Sequence, residues 1–426
     1  MTVRRFFFWL HLAAGLIAGF SIGIMCFTGT MLAFEKELVA WSERDLRRVQ
    51  PPSPDAARLS LDAMRASLLR SHPDARPASM VVQRDAGSAV AFTSGRSGGY
   101  YVNPYTGEVR QAVAGRMNAF MHTMTDLHRT LGFHGETSRP IGKWINGVCN
   151  LAYCVLALTG LYLWLPRSGS WRSIRPVIWF RRTGSGRARD FNWHNAIGLW
   201  TAPVVVVLTL TAVPISFRWG GEFIYWITGT PAPAADGRGA GGGPGGLVAP
   251  IILSAPAAGA MPMSTDQLME AVQQLEPNWK TVTLRLANAG PGGPGDRGGR
   301  GGREARGKSE REPGEAKPSS SPAPQAAIFT VRTSVSWPRT ANTTLQLDPF
   351  TGRVVRRTGH GDLNAAQRVR SWTRFLHTGE ALGAAGQAIA GIACLGGVVL
   401  VYTGFALSWR RFFFRKTEVA PAPGDS

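Results

Sequence analysis

Four histidines sit where an imidazole could do more than titrate at a surface. His11 in WLHLAAG and His194 in WHNAIG lie within apolar runs, each followed four residues later by a glycine, Gly15 and Gly198. His128 in DLHRTLGFHGE and His377 in RFLHTGEALG stand just ahead of two further apolar runs. A polar imidazole in an apolar span is costly unless partnered, so such residues are functional candidates. For any one of them, a hydrogen bond to a neighbouring helix is the simpler reading. Four that recur in matched pairs favour another: two imidazoles from facing helices are what a b-type haem takes as axial ligands. Gly15 and Gly198 share a helical face with their histidines, where a missing side chain lets a flat macrocycle approach. Arg129 and Arg374, near His128 and His377, suit propionate pairing or interfacial anchoring. His72 and His360 lie in loop-like sequence and read as solvent-exposed, and His122 reads as an interfacial residue of the entering helix or a lesser contender for the outer ligand.

The elements that must position these residues are apolar runs long enough to cross a bilayer core, which takes about 20 residues. They are Phe6–Phe34, Ile141–Leu165, Asn192–Phe217 and Ala384–Trp409. The first is too long for a signal-peptide core and has no small-x-small cleavage site, so it reads as an uncleaved anchor. The loop PRSGSWRSIRPVIWFRRTGSGRARD is dense in arginine, and Arg4, Arg5, Arg410, Arg411, Arg415 and Lys416 flank the first and last runs. The positive-inside rule puts all three segments in the cytoplasm and both long connections outside it. The +20 net charge is explained largely by these flanks and the anionic bilayer surface, and nucleic-acid binding is not expected. Cys26, Cys149, Cys154 and Cys394 all fall inside apolar runs, as helix-packing residues do. A structural zinc site fits poorly, because four histidines split between two membrane faces cannot close one tetrahedral shell. No phosphate-binding loop, dinucleotide fingerprint or nucleophile elbow is present, so a bound cofactor would have to supply any chemistry.

The chain reads as an internal duplication. His11-x-x-x-Gly15 recurs at His194-x-x-x-Gly198 with an offset of 183, and the segment from Ser60 recurs from Ser264 at 204. The turns NPYTG and DPFTG recur at 245, and INGVCNLAYCVLALTGLYLW recurs as IAGIACLGGVVLVYTGFALS at 244, pairing Thr159-Gly160 with Thr403-Gly404. The jumps in offset mark two low-complexity insertions in the second half, about 230–250 and 289–326, whose composition predicts disorder. Each half is span, outer domain, span. The boundaries are 1–35 for the first span, 36–120 for the first outer domain, and 121–166 for an entering helix with the second span. The arginine-rich loop (167–190) and third span (191–217) follow, then the second outer domain (218–365), an entering helix with the fourth span (366–411), and a tail (412–426). Each outer domain opens on an amphipathic helix, with Leu61, Met64, Leu68 and Leu69 on one face in the first. The strand-like segments SMVVQR, SAVAFT and YYVN follow, then the Asn103–Gly107 turn, making a small α+β unit.

These motifs together resemble the PepSY-associated transmembrane family, also called iron-regulated membrane proteins, which includes ferric-siderophore reductases of the bacterial inner membrane. The features that carry the resemblance are WLHLAAG and WHNAIG, LHRTL and LHTGEALG, the endings TGLYLWLPR and TGFALSWRR, and the turns NPYTG and DPFTG. They cover almost everything outside the insertions. The resemblance implies a membrane four-helix bundle holding two b-type haems, with two periplasmic α+β PepSY-like domains. It further implies electron transfer from a cytoplasmic donor to a ferric siderophore outside, and His11 with His194 and His128 with His377 as iron ligands. The first half carries the longer LHRTLGFHGETSRPIGKW, and Glu136 and Glu380 share the 244 offset, so His134 rivals His128. Tyr100, Tyr101, Tyr105 and Trp337 are candidate docking contacts, or strand-pair and core residues. The alternative from another class is a haem-free scaffold whose PepSY-like domains bind or restrain an envelope peptidase or an iron-transport partner.

Overall fold

Four helices carry the apolar runs: α1 (Val3–Leu32), α4 (Ser138–Trp164), α5 (Gly186–Ser216) and α8 (Ala384–Phe413). Between them fall α2 (Leu61–Ser71), α3 (Arg116–Thr130), α6 (Thr265–Leu275) and α7 (Ala365–His377). The computed structural model describes residues 2–93, 99–112, 115–166, 170–181, 185–232, 250–254, 256, 259–286 and 324–413. The predicted insertions fall almost wholly outside these residues, as does the tail beyond Phe413. The described chain divides into a helical unit (Met1–Phe34, Thr123–Phe223, Thr373–Ser426) and a sheet unit (Glu35–His122, Ile224–Trp372).

In the helical unit all four long helices are apolar and long enough to cross a membrane. At 1.5 Å per residue, a helix of this size runs about 40–45 Å, more than the ~30 Å hydrocarbon core. Ile17, Phe20 and Ile392 turn outward and stay largely exposed, which lipid tolerates and water does not. The α1 helix packs against α4 and α8, and α5 packs against the same two, so α1 and α5 stand diagonally across the bundle. Small residues set the close approaches, as expected where lipid leaves no hydrophobic drive between helices. Two of these matter for the site. A Cβ on Gly142 of α4 would run into the carbonyl of Thr130, and one on Gly386 of α8 into that of Gly379. These glycines let α3 and α7 fold back tightly onto the spans that follow them. The reversals pass through left-handed backbone at Gly132 and Gly135 in one case and Gly379 and Gly383 in the other, a region open to glycine at little cost. Asn146 Nδ2 donates to the His128 carbonyl at 2.8 Å, tying the last turn of α3 to α4.

The sheet unit holds eight antiparallel strands: β1 (Ser79–Gln83), β2 (Val90–Thr93), β3 (Gly99–Val102), β4 (Val109–Ala112), β5 (Trp279–Arg285), β6 (Ala327–Thr333), β7 (Thr343–Leu347) and β8 (Val354–Thr358). Their order is β4-β3-β2-β1-β5-β6-β7-β8, so the two outer segments share one sheet. The seam is β1 on β5, from Ser79 opposite Arg285 to Gln83 opposite Thr281. Leu61, Met64 and Leu68 of α2 and Leu268, Met269 and Val272 of α6 are buried with Met80, Val82, Phe92, Val282, Phe329 and Leu345 of the strands. Leu69, expected on the same face, is 37% exposed: at 100° per residue it lies past the edge of the stripe set by its neighbours. The helices cap each other. The backbone N–H of Leu61 donates to Asp266 at 3.0 Å, and that of Thr265 to Asp62 at 3.1 Å. The two predicted turns form alike: Asn103 Oδ1 accepts from the N–H of Tyr105, Asp348 Oδ1 from that of Phe350, and Gly107 and Gly352 take positive φ.

Candidate functional site: two imidazole pairs

One threonine receives each of the four histidines. His11 Nδ1 lies 2.9 Å from Thr159 Oγ1 of α4, and His194 Nδ1 lies 2.9 Å from Thr403 Oγ1 of α8. His128 Nδ1 is 2.9 Å from Thr28 Oγ1 of α1, and His377 Nδ1 is 3.4 Å from Thr211 Oγ1 of α5. Each threonine hydroxyl already gives its single proton to the carbonyl four residues back: Val155, Val399, Ile24 and Val207, at 2.6–2.8 Å. It therefore accepts from the imidazole Nδ1–H. Backbone carbonyls reinforce this, Met25 O at 3.1 Å from His128 Nδ1 and Leu208 O at 3.0 Å from His377 Nδ1. With the proton fixed on Nδ1, the lone pair sits on Nε2, the form of imidazole that binds metal.

The freed nitrogens belong to rings that meet in pairs. The centroids of His11 and His194 are 6.4 Å apart with planes at 85°, and those of His128 and His377 are 6.3 Å apart at 50°. All four rings are half-buried. Among the described residues, no three His, Cys, Asp or Glu side chains converge as a metal cage. Seventeen residues separate His11 from Thr28 on α1, and seventeen separate His194 from Thr211 on α5. That places the pairs about 25 Å apart along the bundle.

The other predicted residues fall unevenly around these pairs. A Cβ on Gly15 would find only Leu156 at 3.8 Å, and one on Gly198 only Leu400 at 3.7 Å. Helix packing does not require glycine at either position. Arg129 is exposed and acts electrostatically on both His128 and His377, while the exposed Arg374 lies over the Phe375 ring at 6.0 Å. His134 is not brought to the pair: its side chain is 72% exposed, with Nδ1 3.9 Å from the Asp126 carboxylate. His122 is exposed. His72, expected in solvent, is half-buried with its ring 4.7 Å from that of Tyr100, because the chain leaving α2 passes over β3. Of the proposed docking aromatics, Tyr101 is buried and donates to Glu43 at 2.9 Å, whereas Trp337 is exposed beside Trp372.

Sequence reasoning missed the four threonines, although a signal was available. Three are followed by glycine, as Thr28-Gly29, Thr159-Gly160 and Thr403-Gly404. A Cβ on those glycines would stand 3.4, 3.3 and 3.6 Å from Cε1 of His128, His11 and His194. At the fourth place Ala212 follows Thr211, where the histidine–threonine distance is the longest of the four. Asp190 was missed as well. It is fully buried at the start of α5, 2.9 Å from Arg189 and 2.6 Å from Arg410 at the end of α8.

Four apolar helices, with an antiparallel sheet unit formed by the segments between them, define a multi-pass membrane protein with an α+β part. The family described as PepSY-associated TM region matches residues 8–411. The chain belongs to that family. No curated protein matches it.

Proposed function

We propose that the helical unit holds two b-type haems, one between His11 and His194 and one between His128 and His377, and conducts electrons between the two membrane faces. The observation that carries this reading is the ring spacing. An imidazole nitrogen bonds a first-row metal at about 2.0–2.1 Å, so two imidazoles on opposite sides of one metal have ring centres about 6–6.5 Å apart. The pairs stand at 6.4 and 6.3 Å. When bound, haem supplies a one-electron change at its iron. The threonines engage each Nδ1 and leave Nε2 as the nitrogen that would ligate the iron; Gly15 and Gly198 would leave room for the macrocycle, and Arg129 and Arg374 would offer cations to its propionates. The neutral threonine acceptors leave the imidazoles uncharged, which suits a site in an apolar span.

The arginine-rich flanks put the His11–His194 end, both termini and the 167–190 loop in the cytoplasm, and the sheet unit in the periplasm of a bacterial inner membrane. Electrons then enter from a cytoplasmic donor at His11–His194 and leave at His128–His377. The acceptor we propose is Fe(III) held by a siderophore. Hard oxygen ligands hold Fe(II) less tightly, so reduction releases the metal. The two repeated segments are two PepSY-like domains joined through β1 and β5, and they form the docking surface, with Trp337 as its exposed aromatic.

The absorption spectrum of detergent-purified protein tests the reading. Dithionite-sensitive Soret and α bands at two haems per chain are expected, and a colourless protein favours the peptidase-binding scaffold instead. His11→Ala or His194→Ala is expected to remove one haem and leave the other. Retention of both haems in the double variant would overturn the ligand assignment.

A further inference from the structure

Between the two imidazole pairs, an aromatic side chain of one span meets a thiol of its neighbour. Tyr153 projects from α4, and its hydroxyl oxygen lies 3.6 Å from Cys26 Sγ on α1. The facing position on α8 is Gly397, where a Cβ would stand 2.6 Å from the tyrosine oxygen and 2.5 Å from Cys26 Sγ. Nothing larger than glycine fits there without moving the ring. Gly397 is also the residue that the 244 offset pairs with Tyr153. Across the repeat, one half supplies a ring and the other the space for it, at a place where two tyrosines would collide.

The cluster links to both pairs. Tyr153 is six residues from Thr159, the acceptor of His11, about 9 Å along α4. Cys26 is two residues from Thr28, the acceptor of His128. Cys394 of α8 closes the other side: its sulfur would be 3.1 Å from a Cβ on Gly29, which in turn would be 3.4 Å from His128 Cε1. Packing alone would be met by leucine or phenylalanine, and a phenol with only a thiol partner is an expensive filler in an apolar span.

We infer that Tyr153 is the bridging residue for electron transfer between the two pairs, a role that rests on the haem reading above. Tunnelling decays with distance, and less steeply through bonded and closely packed matter than across gaps. The ring and its 3.6 Å sulfur contact occupy part of the ~25 Å separation with closely packed, polarisable matter. The donor side is oxidised by one electron and the acceptor side reduced by one. Tyr153 itself is not oxidised, no bond is made or broken, and no proton leaves its hydroxyl.

The test uses haem-loaded protein, reduced with dithionite in sealed vesicles and mixed rapidly with external ferricyanide, which does not cross the membrane. From either orientation, complete reoxidation requires transfer between the pairs, seen as the slow phase of the α-band decay. Tyr153→Leu is expected to slow that phase by an order of magnitude with both haem spectra retained. Tyr153→Phe keeps the ring, loses the sulfur contact, and should fall between leucine and wild type. Tyr153→Met, similar in volume to leucine but unbranched, serves if the leucine variant fails to fold. A wild-type slow phase in a folded, fully loaded leucine or methionine variant overturns the bridge, as does a phenylalanine variant as slow as leucine. A colourless wild-type protein overturns the haem reading and the bridge together, whereas two haems with an unchanged slow phase overturn the bridge alone.

Discussion

At the scale of single residues, the threonines decide what the histidines can do. An imidazole in an apolar span needs a partner for one nitrogen, and the partner chosen fixes which nitrogen remains open. Thr159 and Thr403 have already spent their own protons on Val155 and Val399, so they are acceptors only. Replacing either by valine keeps the shape and removes the acceptor. Loss of such an outer-shell partner weakens metal binding by roughly 10- to 100-fold. On the proposed haem reading, Thr403→Val is expected to lower haem affinity at the His11–His194 site by about that factor and leave the other site unchanged. Haem titration of apoprotein with a difference spectrum for each site measures it; equal loss at both sites would speak against local action. On the same reading, haem still held at the His11–His194 site in Thr403→Val should have a higher midpoint potential, since an imidazole with a weaker acceptor donates less charge to the iron.

Elements position those residues through a few polar ties. In the sheet unit, Glu43 accepts from Arg47 at 2.9 and 2.6 Å, from Tyr101 at 2.9 Å and from Asn118 at 2.8 Å. It thereby joins the segment after α1 to β3 and to the start of α3, the helix that carries His128. Burial pushes this carboxyl upward, but the hydrogen bonds from Arg47, Asn118 and Tyr101 outweigh it and hold it below the usual carboxylate range. A lowered value in the folded state means the stabilisation is present above the unfolded value, about 4.3, and is lost as pH falls through the folded one. Hydrogen-exchange protection factors at residues 43–47 and 116–120, taken against the intrinsic rate at each pH, should fall on acidification in the wild type. In Glu43→Gln they should be low already at neutral pH and change little on acidification. The helix caps offer a second test at this scale. Asp62→Ala and Asp266→Ala each remove a carboxylate from the partner helix's N-terminus, and each should cost about 1 kcal/mol in thermal or denaturant unfolding.

For the whole molecule, the seam between β1 and β5 makes the two long connections interdependent. Strand β1 has β2 on one side and β5 on the other, and the core beneath draws on both α2 and α6. Residues 36–120 expressed alone would present an unpaired β1 edge beside half of an apolar core, a ready site for strand addition. Such a fragment should self-associate in size-exclusion chromatography, and co-expression with the 250–365 segment should suppress that. Monomeric, stable behaviour of the fragment would show that the seam is dispensable.

Much of this architecture was legible locally. The spans follow from apolar length, the turns at Gly107 and Gly352 from Pro and Gly at fixed places, and the burial of Leu61, Met64 and Leu68 from helical period. The His-x-x-x-Gly repeat singled out His11 and His194, whereas the 244 offset left His134 a rival to His128. What the sequence by itself could not decide were contacts between residues far apart along the chain. His128 and His134 look alike as text, and the reversal at Gly132 that turns one inward and leaves the other exposed depends on α3 packing at Gly142. The β1–β5 seam and the threonine beneath every imidazole arise from pairings 100 to 209 residues distant. Local propensity is blind to such pairings, because hydrogen bonds and packing across helices carry no period along the chain. Tertiary structure alone sets which nitrogen of each histidine is free and how far apart the rings stand, and on those two quantities the chemistry depends.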